Sequence, residues 1–297
     1  MALVEHTEER SAGSIKLLEC PRDAMQGLEK FIPTNLKGEY LNALLKVGFD
    51  TLDFGSFVSP KAVPQMQDTH EVLDQLDLSS SQTKLLAIVA NLRGALQAAS
   101  LPGIDYLGFP LSLSETFQQR NTNKGIPEAL QEVAKMQELC LSKGKTMVVY
   151  LSMGFGNPYG DPWGPEVVAE FVQKLNMMAI EIIALSDTIG VADPPLIRYL
   201  FTHLLPAFPA IELGAHLHTH PATWQEKVEA AYSSGCRRFD SALLGFGGCP
   251  MAKDELVGNM PTENLVAYFE NIGVPLPLDK KAFSQAMDVS RKVFLNH

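Results

Sequence analysis

Two histidines, His216 and His218, end an apolar run that reads Gly214-Ala215-His216-Leu217-His218. In a strand, residues two apart project from the same face, so both imidazoles can aim at one point. That is a chelating geometry for a divalent cation, and histidine is a common ligand for such ions. Two hydrogen-bonded histidines at a strand end fit the same letters, and the pair alone does not separate the two readings. The elements that carry the pair, and the polar residues they bring beside it, have to decide.

The chain alternates strand-like with helix-like segments throughout. Strands are predicted at 15–20, 51–57, 84–90, 106–111, 146–152, 181–185, 211–218 and 238–243, from short β-rich apolar runs. Helices are predicted at 36–47, 72–76, 92–99, 127–142, 166–178, 224–233 and 263–271, with another opened by Asp193-Pro194 and a last amphipathic one at 280–293. Val168, Phe171, Val172 and Leu175 show the i, i+3, i+4, i+7 stripe of a helix lying on a core. Residues between the fourth strand and 127 read as a polar loop. Eight such alternations with short connections predict an α/β fold, a single (β/α)8 TIM barrel with an extra C-terminal helix. The whole chain, 1–297, is then one catalytic domain, with the barrel at about 15–273 and a C-terminal extension at about 274–297. An open doubly wound sheet is the structural alternative, because alternation alone does not show closure. No Gly-x-Gly-x-x-Gly follows a strand, which weighs against a dinucleotide fold.

In such a barrel the active site lies at the C-terminal strand ends. Arg22, Asp23 and Gln26 follow the first strand, Asp53 lies in the second, and Ser112, Ser114 and Glu115 end the fourth. Tyr150 and Ser152 end the fifth, Ser186, Asp187 and Thr188 the sixth, and the two histidines the seventh. After the eighth strand a long loop runs through Cys249 to Gly258-Asn259. Strands one and seven would be separated only by strand eight, so Asp23 meets His216 and His218 across the mouth. One carboxylate and two imidazoles leave coordination positions open for substrate oxygens, as a Lewis-acid metal needs. Arg22 would face those oxygens, where a fixed cation stabilises developing enolate charge. Each residue also has a plain reading: Asp187 or Thr188 capping a turn, Arg22-Asp23 as a surface ion pair, Cys249 as an inert thiol, Asn259 as a turn residue. His220 precedes Pro221 and reads as a cap, and His6, His70 and His203 have no strand-end context.

Composition narrows the function classes. Hydrophobic residues are 46% and charged residues 20%, ordinary for a globular chain, and the net charge of −10 argues against nucleic acid or an anionic membrane as main partner. Cys20, Cys140, Cys236 and Cys249 are far apart and fit reduced thiols. The polar, acidic start is unlike a signal peptide and no apolar run reaches roughly 18 residues, so a cytoplasmic location is expected.

The motifs resemble those of the 3-hydroxy-3-methylglutaryl-CoA lyase family, within the wider group of metal-dependent TIM-barrel lyases and acyl-transfer enzymes. The resemblance rests on Cys20-Pro21-Arg22-Asp23-Ala24-Met25-Gln26, Ser56-Phe57-Val58-Ser59-Pro60-Lys61, Val63-Pro64-Gln65-Met66, Ser186-Asp187-Thr188-Ile189-Gly190-Val191, His216-Leu217-His218, Gly247-Gly248-Cys249-Pro250 and Gly258-Asn259. It implies that Asp23, His216, His218 and Asn259 bind a divalent ion, magnesium or manganese. It implies catalytic roles for Arg22, for Asp53 and for Cys249 on a mobile loop, with Gln26, Ser152, Asp187 and Thr188 binding substrate. The implied reaction is a retro-Claisen cleavage of an acyl-CoA to acetyl-CoA and acetoacetate, in a homo-oligomer, a dimer, with no nucleic-acid or membrane partner. The chain departs from the family pattern at Cys20, Ala24 and Met25, at Asp53 where a Glu is usual, at Ser186, at Thr219, and in a charged, glycine-poor loop after Cys249. A Claisen-condensing synthase of the isopropylmalate or citramalate type, a 4-hydroxy-2-oxo acid aldolase, and an inactive barrel that binds acyl-CoA or metal are the alternatives.

Overall fold

The computed structural model describes residues 14–248 and 257–295. Eight strands, β1 (Lys16–Glu19), β2 (Thr51–Ser56), β3 (Lys84–Ile88), β4 (Tyr106–Ser112), β5 (Thr146–Ser152), β6 (Ile182–Asp187), β7 (Glu212–Leu217) and β8 (Arg238–Ser241), pair in parallel in sequence order. Leu18 of β1 stands beside Asp240 of β8, so the sheet closes on itself and the open-sheet alternative falls away. Helices α1 (Pro21–Gln26), α2 (Thr34–Leu45), α3 (Thr69–Leu73), α4 (Leu92–Ala99), α5 (Glu115–Thr122), α6 (Ile126–Lys143), α7 (Pro165–Met177), α8 (Pro194–Ala207), α9 (Trp224–Ser233), α10 (Thr262–Asn271) and α11 (Lys280–Leu295) complete the described chain.

Two of these helices are absent from the sequence expectation. The helix α1 is little more than one turn, too short for any periodicity to register. In α5, Glu-Thr-Phe-Gln-Gln-Arg-Asn-Thr offers Phe117 as its one large apolar residue, so the segment looks like a polar loop. Its ends are nevertheless specified. The Ser114 hydroxyl accepts from the Phe117 N–H, and Asn123 ends the helix at φ 56°, a left-handed position that asparagine tolerates.

The barrel lumen is divided in chemistry. Leu86, Ile88, Val148, Tyr150, Ile182 and Ala184, alternate residues of β3, β5 and β6, form an apolar cluster separate from the main core. The opposite side carries charge. Arg238 lies against Gly214, where a Cβ would come within 3.1 Å of Arg238 Cδ, and reaches Glu212 at 3.0 Å and Asp50 at 3.4 Å. Lys16 pairs with Glu212 as well. These residues sit at strand starts and close the N-terminal end, leaving the other end for chemistry.

The segment after β8 is anchored by Glu19, which is fully buried and accepts from Leu243 N at 2.8 Å and from the Thr262 hydroxyl. Burial raises its carboxyl to about 8, more than those hydrogen bonds lower it. The folded protein therefore holds a proton that the unfolded chain releases near 4.5, so this group's contribution to stability is present at low pH and is lost as pH rises from 4.5 through about 8. Glu19→Gln, which stays neutral, is expected to flatten that decline in urea midpoints measured across the window. Parallel profiles for the two proteins would show that the proton is not on Glu19.

The extra C-terminal helix is present as α11. It packs on α2, with Phe294 edge-on to Tyr40 at 5.8 Å, and stacks Phe294 on Phe246 at 4.7 Å. Phe246 belongs to the segment after β8, so α11 also supports one rim of the barrel mouth.

Candidate active site

The helix α1 turns the chain over the barrel mouth directly after β1. Pro21 at its first position loses no needed donor, and Cys20 N donates to Ser241 O at 2.8 Å, fixing the turn to β8. Arg22 and Asp23 are thereby placed side by side at the C-terminal strand ends. Arg22 Nε donates to Asp53 at 3.0 Å, Nη2 donates to the same carboxylate, and Nη1 donates to Asp23 Oδ1 at 3.0 Å and Gln26 Oε1 at 2.9 Å. Among the described residues these bonds use four of the five guanidinium hydrogens and leave one on Nη2 uncommitted. Burial works against the charge on Arg22, but Asp53 and Asp23 outweigh it and hold the group protonated.

Asp23, His216 and His218 converge. One donor atom from each lies within 4.8 Å of the others, and the two imidazole centroids are 5.4 Å apart. Asp23 Oδ1 also accepts from Gln26 at 2.7 Å and Oδ2 from Asn259 Nδ2 at 2.7 Å. Burial opposes ionisation of Asp23, yet Arg22 and the two histidines outweigh it and hold the carboxyl below its usual range.

His216 Nδ1 is 3.1 Å from Asp240 Oδ2, the neighbour across the β7–β8 register. That bond orients the ring and leaves Nε2 for the cluster. Burial pulls His216 down, but Asp240 and Asp23 hold it above its ordinary value. His218 behaves oppositely: burial, reinforced by His216, pushes it down to about 3 and keeps it neutral. Its Nδ1 is buried with no hydrogen-bond partner among the described residues. A neutral imidazole, an imidazole oriented by a carboxylate, and an ionised carboxylate form the donor set a divalent cation requires. The residues therefore fit the metal that the motifs imply. Cys20 forms a second close group with His216 and Asp240, but burial followed by Asp240, Asp53 and Asp23 pushes its thiol well above the usual range. It stays protonated and stands behind the cluster.

Asn259 arrives by a route the spacing does not announce. Residues 258–260 pair antiparallel with the end of β7, with Thr219 N donating to Gly258 O at 2.9 Å and Met260 N to Leu217 O at 3.2 Å. The Asn259 amide nitrogen is committed to Asp23 and, at 2.9 Å, to Phe246 O, so any ligand bond from this side chain comes from Oδ1. Gly247 explains part of the glycine pair after β8. It has φ +109°, and a Cβ there would lie 2.4 Å from Asn259 Nδ2.

A cavity of about 310 Å³ opens over the cluster. Arg22, Asp23, Gln26, Ser152 and Thr188 line it together with both histidines, and Tyr150 forms part of its wall, edge-on to His216 at 5.6 Å. Thr188 Oγ1 accepts from Met153 N at 2.9 Å, so its hydroxyl hydrogen is free to point elsewhere. Two expected residues stand behind the wall. Asp53 is 1% exposed with its carboxylate occupied by Arg22, and burial lifts it to about 6. Asp187, also 1% exposed, accepts from Ala192 N at 3.0 Å and from Lys227 Nζ at 2.8 Å. Their side chains support the residues that face the cavity, and neither lines it. Cys249 lies outside the described residues.

Two participants escaped the sequence reading. Asp240 carried a signal, since alternation in Arg238-Phe239-Asp240 puts it on the lumen side beside a strand bearing His216. Lys227 carried none, being one charged residue of a helix with charged neighbours.

A model of the HMGL-like family matches residues 15–291. The mitochondrial hydroxymethylglutaryl-CoA lyase of Mus musculus is 30% identical over 275 residues, covering 92% of this chain and 84% of the relative. The (R)-citramalyl-CoA lyase of Chloroflexus aurantiacus is 30% identical over 277 residues, covering 90% and 87%. Among solved structures, an HMG-CoA lyase from Acinetobacter baumannii in complex with coenzyme A and 3-methylmalate superposes with a TM-score of 0.86 at 31% identity, covering 94% of this chain and 90% of that one.

Proposed function

The chain belongs to the HMGL-like family, and on that premise we propose that it is a metal-dependent carbon–carbon lyase that cleaves 3-hydroxy-3-methylglutaryl-CoA to acetyl-CoA and acetoacetate. The observation that carries the reading is the Asp23, His216 and His218 cluster on the wall of a cavity that is also lined by Arg22, which keeps one Nη2 hydrogen uncommitted. Asp23, His216 and His218 would hold the ion, with Asn259 Oδ1 as a fourth donor, and magnesium or manganese suits a mixed carboxylate and imidazole set facing substrate oxygens. When bound, the ion supplies Lewis acidity toward the substrate's hydroxyl and carbonyl oxygens.

The remaining work falls to side chains. A base takes the proton of the tertiary hydroxyl, whose O–H electrons form the ketone of acetoacetate as the C2–C3 bond breaks, and the proton count closes when one is returned to carbon. The bond's electrons pass to the thioester, whose oxygen becomes an enolate. Arg22 is placed to donate its free hydrogen to that oxygen, where charge develops most, and Asp53 fixes the guanidinium so that no reorganisation is needed. Reprotonation at carbon then gives acetyl-CoA. Thr188 and Ser152 offer hydroxyls along the wall to the acyl portion.

The citramalyl-CoA lyase relative favours a second substrate for the same bond cleavage. Citramalyl-CoA carries the same arrangement of tertiary alcohol β to a thioester, and its cleavage yields a 2-oxo acid in place of acetoacetate. Purified protein with Mn2+ and each thioester in turn, assayed for acetoacetate and for pyruvate, separates the two. Acetoacetate from the first substrate is expected. Pyruvate from citramalyl-CoA alone would move the assignment to the second substrate, and no cleavage of either would overturn it.

A further inference from the structure

The most completely engaged cation beside the cluster is Lys227, 4% exposed, which reaches from α9 to the ends of β6 and β7. Its ammonium has three hydrogens and meets three acceptors: Asp187 Oδ2 at 2.8 Å, His218 O at 2.9 Å and Gly190 O at 3.1 Å. The backbone already sets Asp187 beside Leu217 and closes the β6 turn through Gly190 N to Asp187 O at 3.1 Å, and the ammonium adds a side-chain tie from that turn to the His218 carbonyl. Asp187 ends β6, Gly190 is in the turn that follows Thr188, and His218 is the residue just past β7.

The His218 carbonyl belongs to the peptide whose other side, Thr219 N, is held by the incoming 258–260 segment, and the peptide before it is held through Leu217 O. Leu217 O accepts from Met260 N, and Thr219 N donates to Gly258 O. Lys227 takes the acceptor side of the His218–Thr219 peptide and ties it to the β6 turn, which carries Thr188 into the cavity. We propose that Lys227 is a positioning residue that sets the His218 peptide, and with it the aim of the imidazole toward Asp23 and His216, against the Asp187–Gly190 turn. The assignment rests on the metal reading of the cluster, and is independent of which thioester is cleaved.

A buried lysine opposite a buried aspartate has an alternative role, neutralising that aspartate, and the two roles respond differently to paired substitution. Lys227→Met removes the tripod and strands the Asp187 charge, so it lowers thermal stability whichever role is correct. Lys227→Met/Asp187→Asn leaves no unpaired charge, while the introduced amide keeps an oxygen for Ala192 N. The readouts are Mn2+ affinity, from the EPR signal of free Mn2+, and the melting temperature without metal. The double variant is expected to recover most of the melting temperature and yet to bind Mn2+ about 10- to 100-fold more weakly than the unaltered protein, the usual loss when a ligand's support is removed. Recovery of Mn2+ affinity together with stability would overturn the assignment and leave charge neutralisation. Unchanged affinity in Lys227→Met would overturn it as well. Absence of Mn2+ binding by the unaltered protein would remove the metal reading itself, an outcome distinct from both. Should the single variant fail to fold, the double variant carries the comparison.

Discussion

Replacing Arg22 with glutamine is expected to lower kcat by about 10²- to 10³-fold, the loss that follows removal of one donor to a developing oxyanion. KM should change little, because on the proposed mechanism the Nη2 hydrogen left over from Asp53 would meet an oxygen that becomes strongly basic only as the carbon bond breaks. The substitution has a structural cost too. Asp53 is 1% exposed and already held near 6 with Arg22 beside it, so without the guanidinium it is driven further toward its protonated form. Stability should fall, and Arg22→Gln/Asp53→Asn should recover it without recovering kcat. Steady-state kinetics and melting curves on both variants test the point. A double variant with restored turnover would show that Arg22 serves only to neutralise Asp53.

His216→Ala is expected to leave no measurable Mn2+ binding under conditions that saturate the unaltered protein, and no turnover. The cluster loses one of its three convergent donors, and the Asp240 support loses its object. The fold should survive, since His216 sits near the end of a strand whose partners on both sides remain paired through backbone bonds. Asp240→Asn is the graded companion. It keeps the shape but weakens the preference for the Nδ1 proton, and about 10- to 100-fold weaker Mn2+ binding is expected. Equilibrium dialysis against Mn2+ measures both. Binding by His216→Ala equal to that of the unaltered protein would show that the cation sits elsewhere.

The places of Asp53 and Asp187 behind the cavity wall have a physical cause in the folded chain. Asp53 has the chemistry of a catalytic carboxylate, and its position in β2 led to the expectation that it serves the site. What the letters do not carry is that Arg22, three residues past the end of β1, folds back through α1 and occupies both its oxygens. Asp187 is similar. Its place at the end of β6 was legible, but its engagement with a lysine from α9, 40 positions later, was not. A side chain's direction at a strand end depends on what packs behind it, and that partner is distant in sequence.

The sequence by itself determined the alternation that a barrel is built from, because eight short apolar runs interleaved with amphipathic helices bury their apolar surface only as a parallel sheet under a helical layer. It also determined the histidine pair, because a period of two places His216 and His218 on one face whatever surrounds them. Only the tertiary structure decided closure, the α1 turn that aims Arg22 and Asp23, the arrival of Asn259 by antiparallel pairing with the end of β7, and the supports at Asp240 and Lys227. The division has one cause. Periodicity is a local property that each segment expresses alone, whereas a hydrogen bond between side chains of different elements exists only once the whole sheet has set their separation.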